Sequence, residues 1–309
     1  MSDLHTTITR FAAIFVVTIL AAGFVATSSM AQGPSTIDIR DTVKKTFTVE
    51  PGGLLEVEAD RGDVSIRTIR GSEVRMAVER VVSVDREEEA KEILQLHRLE
   101  MVQKGEAVLL SSRVEERRFR WRSWQGGDRL RINIVIEVPE EFNVAVSTGA
   151  GNVAVEDIEG ELDIRSGAGN INFDDITGRV IVSSGSGNVS SGRVSGSVEI
   201  NTGAGNIVLA AVLGSVNVAT GAGDIQAHIT DQPIDRSELT SGAGNITVYV
   251  ADNVGMDVDA SAFGNCTTDF PLQVEGRWMT KSIAGEVNGG GPPLAIRAGV
   301  GNIVLRKRN

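Results

Sequence analysis

The sequence predicts an all-β protein, a single-stranded parallel β-solenoid with coils of about 18 residues and a small helix-containing N-terminal cap. Three observations carry this. A glycine landmark recurs: TGAGN ends at Asn152, SGAGN at Asn170, SGSGN at Asn188, TGAGN at Asn206, TGAGD at Asp224 and SGAGN at Asn245, at intervals of 18, 18, 18, 18 and 21. Apolar residues around the landmark alternate with period two, the mark of strands with one buried face. The composition, 35 glycines with only 4% aromatics, suits strands and tight turns and leaves few bulky residues for a globular core.

One unit, residues 161–178 (ELDIRSGAGNINFDDITG), defines the template. Leu162 and Ile164 take places 2 and 4, Ile171 and Phe173 places 11 and 13, Ile176 place 16 and Gly178 place 18. Place 4 recurs as Val146, Val182, Ile200, Val218 and Leu239, and place 11 as Val153, Val189, Ile207, Ile225 and Ile246. Each unit thus supplies two short strands joined by the glycine turn, and equivalent strands of successive units pair in parallel, ~4.8 Å apart. Parallel strands prefer a right-handed crossover. The left-handed hexapeptide helix is disfavoured, because place 14 holds Glu156, Asp174, Gly192, Ala210 and His228 where it needs apolar residues. A lone unit buries too little to fold, so the stack requires neighbours and capped ends.

Along the chain, residues 1–31 have the layout of a secretory signal peptide: Arg10, an apolar run from Phe11 to Val25, and Ser29-Met30-Ala31 before Gln32. Cleavage after Ala31 is expected, the alternative being an uncleaved anchor; either way the protein is exported, to the periplasm or cell surface. Residues 32–43 read as a flexible linker. Residues 44–142 read as a first coil plus cap: LLEVEADRGDVSIRTIRG (54–71) fits the template, and REEEAKEILQLHR (86–98) has helical spacing at Ala90, Ile93, Leu94 and His97 between strand-like EVRMAVERVVSV and RLRINIVIEV. Residues 143–309 read as the regular coils and closing strands. Gly264-Asn265 and Gly301-Asn302 lie 37 residues apart, two coils with one distorted; NGGGPP (288–293) reads as a rigid turn, and Arg306, Lys307 and Arg308 as charges guarding an open sheet edge.

Several function classes recede. The net charge of -11 opposes general nucleic-acid binding. The single cysteine, Cys266, permits no internal disulfide and aligns with buried place 11. GAGN is not GxGxxG, and the place that calcium-binding nonapeptides fill with Asp holds Val or Ile here. No metal or cofactor is implied. The column Asn152, Asn170, Asn188, Asn206, Asp224 and Asn245 reads as a structural turn ladder, with a ligand ladder as the alternative. The column Thr148, Ser166, Ser184, Thr202, Thr220 and Ser241 shares parity with the buried places and should bond turn backbone. His97 and His228 are far apart, so no Ser-His-Asp set emerges. Asp163 and Glu199 share a column two coils apart, roughly 10 Å by strand spacing, a separation open to two-carboxylate chemistry but better read as mixed charge on a solvated face.

One stretch stands out from an acidic, aromatic-poor chain. RRFRWRSWQGGDR (117–129) concentrates Arg118, Arg120, Trp121, Arg122 and Trp124. It reads either as an edge hairpin packing its aromatics on the helix, or as a contact surface for an envelope protein, an anionic glycan or membrane headgroups.

The opening FTVEPGGLLEVEADRGDVSIRT, the helix-containing segment, the entry VPEEFNVAVSTGAGNVAV, the G-x-G-N/D coils and the closing GEVNGGGPPLAIRAGVGNIVL together resemble the bacterial putative-adhesin domain family, over about residues 44–307. That resemblance implies an exported β-solenoid in a cell-envelope setting. The expected function is a non-enzymatic structural, adhesive or interaction module. The alternatives are a carbohydrate-active β-helix enzyme, which needs an outward cluster of acids or basic residues on adjacent coils, and an envelope-stress accessory binding a membrane partner.

Overall fold

The computed structural model describes residues 37–115, 129–277 and 280–308; the leader expected at 1–31 lies outside them. The chain opens with β1 (Ile37–Thr48), β2 (Leu54–Ala59), β3 (Asp63–Ile69) and β4 (Glu73–Val84), then α1 (Glu87–Leu96), β5 (His97–Lys104), β6 (Ala107–Val114) and β7 (Leu130–Pro139). Regular coils follow as strand pairs: β8 (Asn143–Ala150) and β9 (Val153–Val155), β10 (Leu162–Ala168) and β11 (Ile171–Phe173), β12 (Val180–Ser186) and β13 (Val189–Val194), β14 (Val198–Ala204) and β15 (Ile207–Val212). They continue with β16 (Val216–Ala222) and β17 (Ile225–Ile229), β18 (Ser237–Ala243) and β19 (Ile246–Val250), and β20 (Met256–Ala262) and β21 (Cys266–Thr268). A hairpin, β22 (Gln273–Arg277) and β23 (Thr280–Val287), precedes the last pair, β24 (Pro293–Val300) and β25 (Ile303–Lys307).

Two long sheets result, and their inward residues form one continuous core. Equivalent places pair in register: Leu162, Ile164 and Ser166 oppose Val144, Val146 and Thr148 on one side and Val180, Val182 and Ser184 on the other. Places 2, 4, 11 and 13 are inward, so the period-two pattern becomes ladders of Val, Ile and Leu running along the axis. Place 16 adds a third line of contact, with Ile158 bridging Ile176 and Ile176 bridging Val194 in parallel. The β-solenoid of the sequence reading is the observed architecture.

The order of coils in space departs from the order in the chain at both ends. The first coil, β2 with β3, is second in the stack, because β6 and β7 pair outside it while β8 and β9 pair inside. Likewise β24 and β25 insert between the coil of β18 and β19 and the coil of β20 and β21. Arg306–Arg308 therefore do not close the stack as the last strand: β25 pairs with β19, Arg306 opposite Tyr249 and Lys307 opposite Val250, and on its other side with β21 over Ile303–Leu305. The turn that permits this insertion is NGGGPP, where Asn288, Gly289 and Gly290 all take positive φ (51°, 94° and 81°).

Antiparallel strands close most of the exposed sheet ends. β4 runs antiparallel on β7 with β1 outside it, β5 covers β6, and β23 covers β20 with β22 outside. The remaining edge, β21, is only three residues long. Antiparallel or very short edges offer a poor template for adding another parallel coil. The helix packs its Ala90 and Ile93 against this cap, and its first turn places Glu87, Glu88 and Glu89 at the positive end of the dipole. It ends one residue before His97, whose backbone is already extended.

Of the linker expected over 32–43, residues 32–36 lie outside the described residues and 37–43 are instead part of β1, which pairs with β4 along its whole length, from Ile37 opposite Val84 to Thr48 opposite Glu73. Charges at alternate places hide the strand in the sequence. Ile39, Val43 and Phe47 share a face with Asp41, which is ion-paired to Arg80, and with Lys45, whose Nζ donates to the Met101 carbonyl at 2.7 Å. Satisfied charges on an inward face look, in the sequence, like a polar tether.

The glycine turn is the tightest point of each coil. Gly169 sits at φ +131°, and a Cβ there would overlap the carbonyl oxygen of Gly151 in the preceding coil. Gly169→Ala is therefore expected to destabilise the stack by about 3 kcal/mol or more, and Asn188→Ala by only about 1 kcal/mol. Guanidinium unfolding midpoints of the two variants check the ordering.

Candidate binding surface

At the landmark, each side-chain oxygen accepts the backbone N–H of the equivalent residue one coil on. Asn170 N–H donates to Asn152 Oδ1 (3.1 Å), Asn188 to Asn170 (3.0 Å), Asn206 to Asn188 (2.9 Å), Asp224 to Asn206 (2.8 Å) and Asn245 to Asp224 (2.7 Å). The line extends beyond the sequence repeat, to Asp63 at one end and through Asn302 to Asn265 at the other. These oxygens are engaged in holding coils together. A second, shorter line joins Asp157 to Asp175 and Asp175 to Arg193 through the same kind of bond.

The double glycine of the landmark has two separate jobs. The second glycine, as at Gly169, takes positive φ. The first, as at Gly167, has an ordinary φ but lies so close to the Gly149 carbonyl of the coil below that no side chain fits. Stacked, the first glycines leave a shallow trough along the solenoid axis, with an open volume of about 640 Å³. Its walls carry the outward residues Ser147, Arg165, Ser183 and Asn201, and its floor carries the Ser/Thr column. A second depression of about 690 Å³, lined by Asp60, Arg113 and Val114 among others, shares Ser147 and Thr148 with the first and extends it toward the outermost coil. At the opposite end the glycine line, continued through Gly242 and Gly299, terminates at Phe263, which is 47% exposed.

The Ser/Thr column is buried, and most of its hydroxyls donate to turn carbonyls: Ser184 to Ser186 (3.2 Å), Thr220 to Gly205 (3.1 Å), Ser241 to Gly223 (2.8 Å), and Thr148 and Thr202 more weakly at 3.4 Å. Ser166 is the exception. It is 7% exposed and its Oγ has no partner.

The period-two reading gave no sign of a buried serine–histidine contact in the cap. His97, 5% exposed, lies 2.8 Å from Ser112 Oγ through Nε2 and 3.4 Å from the Arg80 guanidinium through Nδ1. A guanidinium can only donate, so Nδ1 accepts and the ring proton sits on Nε2, donating to Ser112. A serine nucleophile needs the opposite polarity, with the imidazole taking its proton. Burial, reinforced by the Arg80 charge and opposed by Asp60 and Asp41, lowers the His97 pKa from 6.5 to about 4. The pair ties β5 to β6 and, through Arg80, to β4.

Asp163 and Glu199 stand two coils apart, on either side of Ile181. Each has its own arginine: Arg165 lies 2.9 Å from Asp163, and Arg179 lies 3.0 Å from Glu199. Cys266 is buried opposite Ile303, donates to the Lys281 carbonyl at 3.3 Å, and has its pKa raised by burial. His228 stacks on Tyr249 with ring centroids 4.3 Å apart, and burial followed by the Arg308 charge lowers its pKa. Among the described residues no cluster of three or more metal-ligating side chains occurs.

Arg118, Arg120, Trp121, Arg122 and Trp124 lie outside the described residues. Their flanks are held on both sides. Glu115 N–H donates to the Leu96 carbonyl (2.9 Å) and its carboxylate pairs with Arg98; Arg129 pairs with Glu89 of α1, and its carbonyl accepts Ser83 N–H at 2.9 Å. The segment thus connects the two strands of the outermost coil, where the regular coils have their glycine turn.

A family model described as Toastrack DUF4097 matches residues 55–285. The chain belongs to this family. The solved structures similar to this Toastrack chain include a putative adhesin from Bacteroides fragilis (14% identity, TM-score 0.45, covering 87% of this chain and 97% of that one). Others are a putative cell adhesion protein from Clostridium sporogenes (13%, TM-score 0.26, 87% and 100%) and a putative lipid binding protein from Parabacteroides distasonis (11%, TM-score 0.30, 87% and 97%). No curated protein matches the Toastrack chain. The resemblance to a putative-adhesin domain family is borne out.

The depressed His97 pKa makes the cap of the Toastrack fold acid-sensitive. In the unfolded chain His97 takes up its proton near pH 6.5, whereas the folded chain resists until about pH 4. Stability present above pH 6.5 is therefore lost as the pH falls toward 4, by up to about 3 kcal/mol. Urea midpoints across that range should drop in the wild type and drop less in His97→Gln.

Proposed function

We propose that the chain is a non-enzymatic, exported binding module of the cell envelope, in which the solenoid serves as a rigid mount and the Arg/Trp segment as the principal contact. The observation that carries this reading is the position of that segment's ends. Arg113 and Val114, which shortly precede the segment's four arginines and two tryptophans in the chain, line the mouth of the trough. The chemistry suits a contact role: guanidinium groups pair with carboxylate or phosphate, and indoles add apolar area. The leader at residues 1–31 would deliver the module across the inner membrane, with Gln32 as the mature N-terminus.

Partners of matching chemistry are an acidic envelope protein, an anionic glycan or anionic headgroups. Association with isolated envelopes should fall about tenfold or more when Arg118, Arg120, Arg122 and Trp124 are all replaced by Ala, and should weaken with added salt. Co-sedimentation with envelope fractions at several ionic strengths reads both effects; unchanged sedimentation of the quadruple variant would remove this role from the segment. N-terminal sequencing of the cell-associated protein checks the mature end, with Gln32 expected.

A further inference from the structure

We propose that the outer face of the sheet running from β9 to β25 is a self-association surface, on which a second copy of the chain docks antiparallel about a two-fold axis. The argument is one of charge. On the opposite sheet, from β10 to β24, every charge at outward places 3 and 5 is paired within the chain: Asp163 with Arg165, Glu199 with Arg179, Glu238 with Arg236 and Arg297 with Asp259. The face from β9 to β25 is built differently. Place 12 is uncharged at every coil from Ala154 to Val304. The next outward column begins with Glu156 and Asp174, passes through Gly192, Ala210, His228 and Tyr249, and ends with Arg306. Acids therefore gather at one end, with Asp157 and Asp175 at the adjoining corner, and bases at the other, with Lys307 and Arg308. Asp174 and Arg306 are exposed, and neither has an ion-pair partner among the described residues.

A partner for such a face must carry the same pattern in reverse. A lipid surface or a uniformly charged polymer presents one sign along the whole length and meets repulsion at one end. Strand addition needs a free sheet edge, whereas the strands from β9 to β25 are paired on both sides. A second copy turned end for end meets the condition twice. Asp174 of each copy then faces Arg306 of the other, which is the self-complementarity that a two-fold interface requires. The two residues lie five strand spacings apart, ~24 Å, so the axis passes between β15 and β17. The surface there carries no charge: Val208 is 40% exposed, Ala210 is exposed, and burial followed by the Arg308 charge keeps His228 neutral. An uncharged centre between charged ends is the layout of a specific interface. Six spacings along the axis by a five-residue strand give roughly 500 Å² from each copy. That area is at the low end for specific association, so the dimer is weak. The two caps lie at opposite ends of the pair.

Analytical ultracentrifugation of the mature chain at about 0.15 M salt, where repulsion between the net charges is screened beyond ~8 Å, tests the surface. A reversible monomer–dimer equilibrium is expected, with a dissociation constant on the order of 10 µM. Asp174→Lys and Arg306→Glu should each weaken it about tenfold or more, because both contacts of the homodimer become repulsive. Mixed one to one, the two variants should dimerise with each other at about wild-type strength. One contact then joins the two reversed charges and the other the two native ones. Val208→Glu, which puts a carboxylate at the centre, should weaken the dimer about tenfold or more, and Ser183→Glu, exposed on the opposite sheet, should not. All four positions face outward, so melting temperatures should stay near that of the wild type. A chain that stays monomeric at about 200 µM, twenty times the expected constant, would overturn the proposal. So would single charge variants that dimerise like the wild type, a mixture that stays monomeric, loss of the dimer in Ser183→Glu, or growth beyond the dimer into longer arrays.

Discussion

Everything in this fold depends on how closely one glycine turn can lie on the next. At each corner the carbonyl of one coil occupies the space that a side chain on the following coil would need, as at Gly151 and Gly169. That contact lets the strands on either side keep register from coil to coil, as in β8, β10, β12 and β14, and register in turn lets each landmark oxygen reach the N–H one coil on. A displaced turn would break three things together: the ladder bond, the parallel pairing beside it and the alignment of the buried aliphatic columns. Cooperativity between neighbours is therefore built into the backbone, as expected of a stack whose single units cannot fold alone.

The same regularity creates a hazard at the ends, where a parallel coil is a template for another. Threading is the solution. Neither the first nor the last coil of the chain is outermost; each is clamped between a regular coil and one supplied by a different stretch of chain. The outermost strands are then mostly covered by antiparallel ones. The cap strands carry charge inward, at Asp41, Arg80 and Lys45, which an added apolar coil could not accommodate without unpaired charges. The buried His97 joins this cap to the stack as a neutral hydrogen-bonding group.

The coils themselves were legible from residues because their rule is local: a glycine landmark and inward apolar places repeated every 18 positions, visible even in the diverged coil at 54–71. The helix and the strands over 73–84 and 130–139 follow from local periodicity in the same way. What escaped was decided by pairing between distant segments. β1 was hidden because Asp41 and Lys45 interrupt its inward face, and their partners Arg80 and Met101 are remote in sequence. The insertion of β24 and β25 was hidden because every coil has the same pattern, and a pattern common to all coils cannot say which lies beside which. The trough was hidden for a subtler reason: both glycines of the landmark read as turn residues, although only the second requires positive φ.

That division between the two glycines changes where specificity can reside. The second glycine and the Asn ladder must be nearly the same in every coil, since a change there disrupts the stack. Place 5 faces outward beside the space cleared by the first glycine, while place 6 is buried. Place 5 varies from Ser147 to Arg165, Ser183, Asn201 and Ala219 while the strands stay paired. The repeat thus separates the places that hold coils together, 9 and 10, from an outward place, 5, whose side chain can change coil by coil along a row whose spacing the backbone has already set. A substitution at place 5 alters the outer surface without touching the turn, so the surface chemistry of the solenoid can diverge while its stack does not.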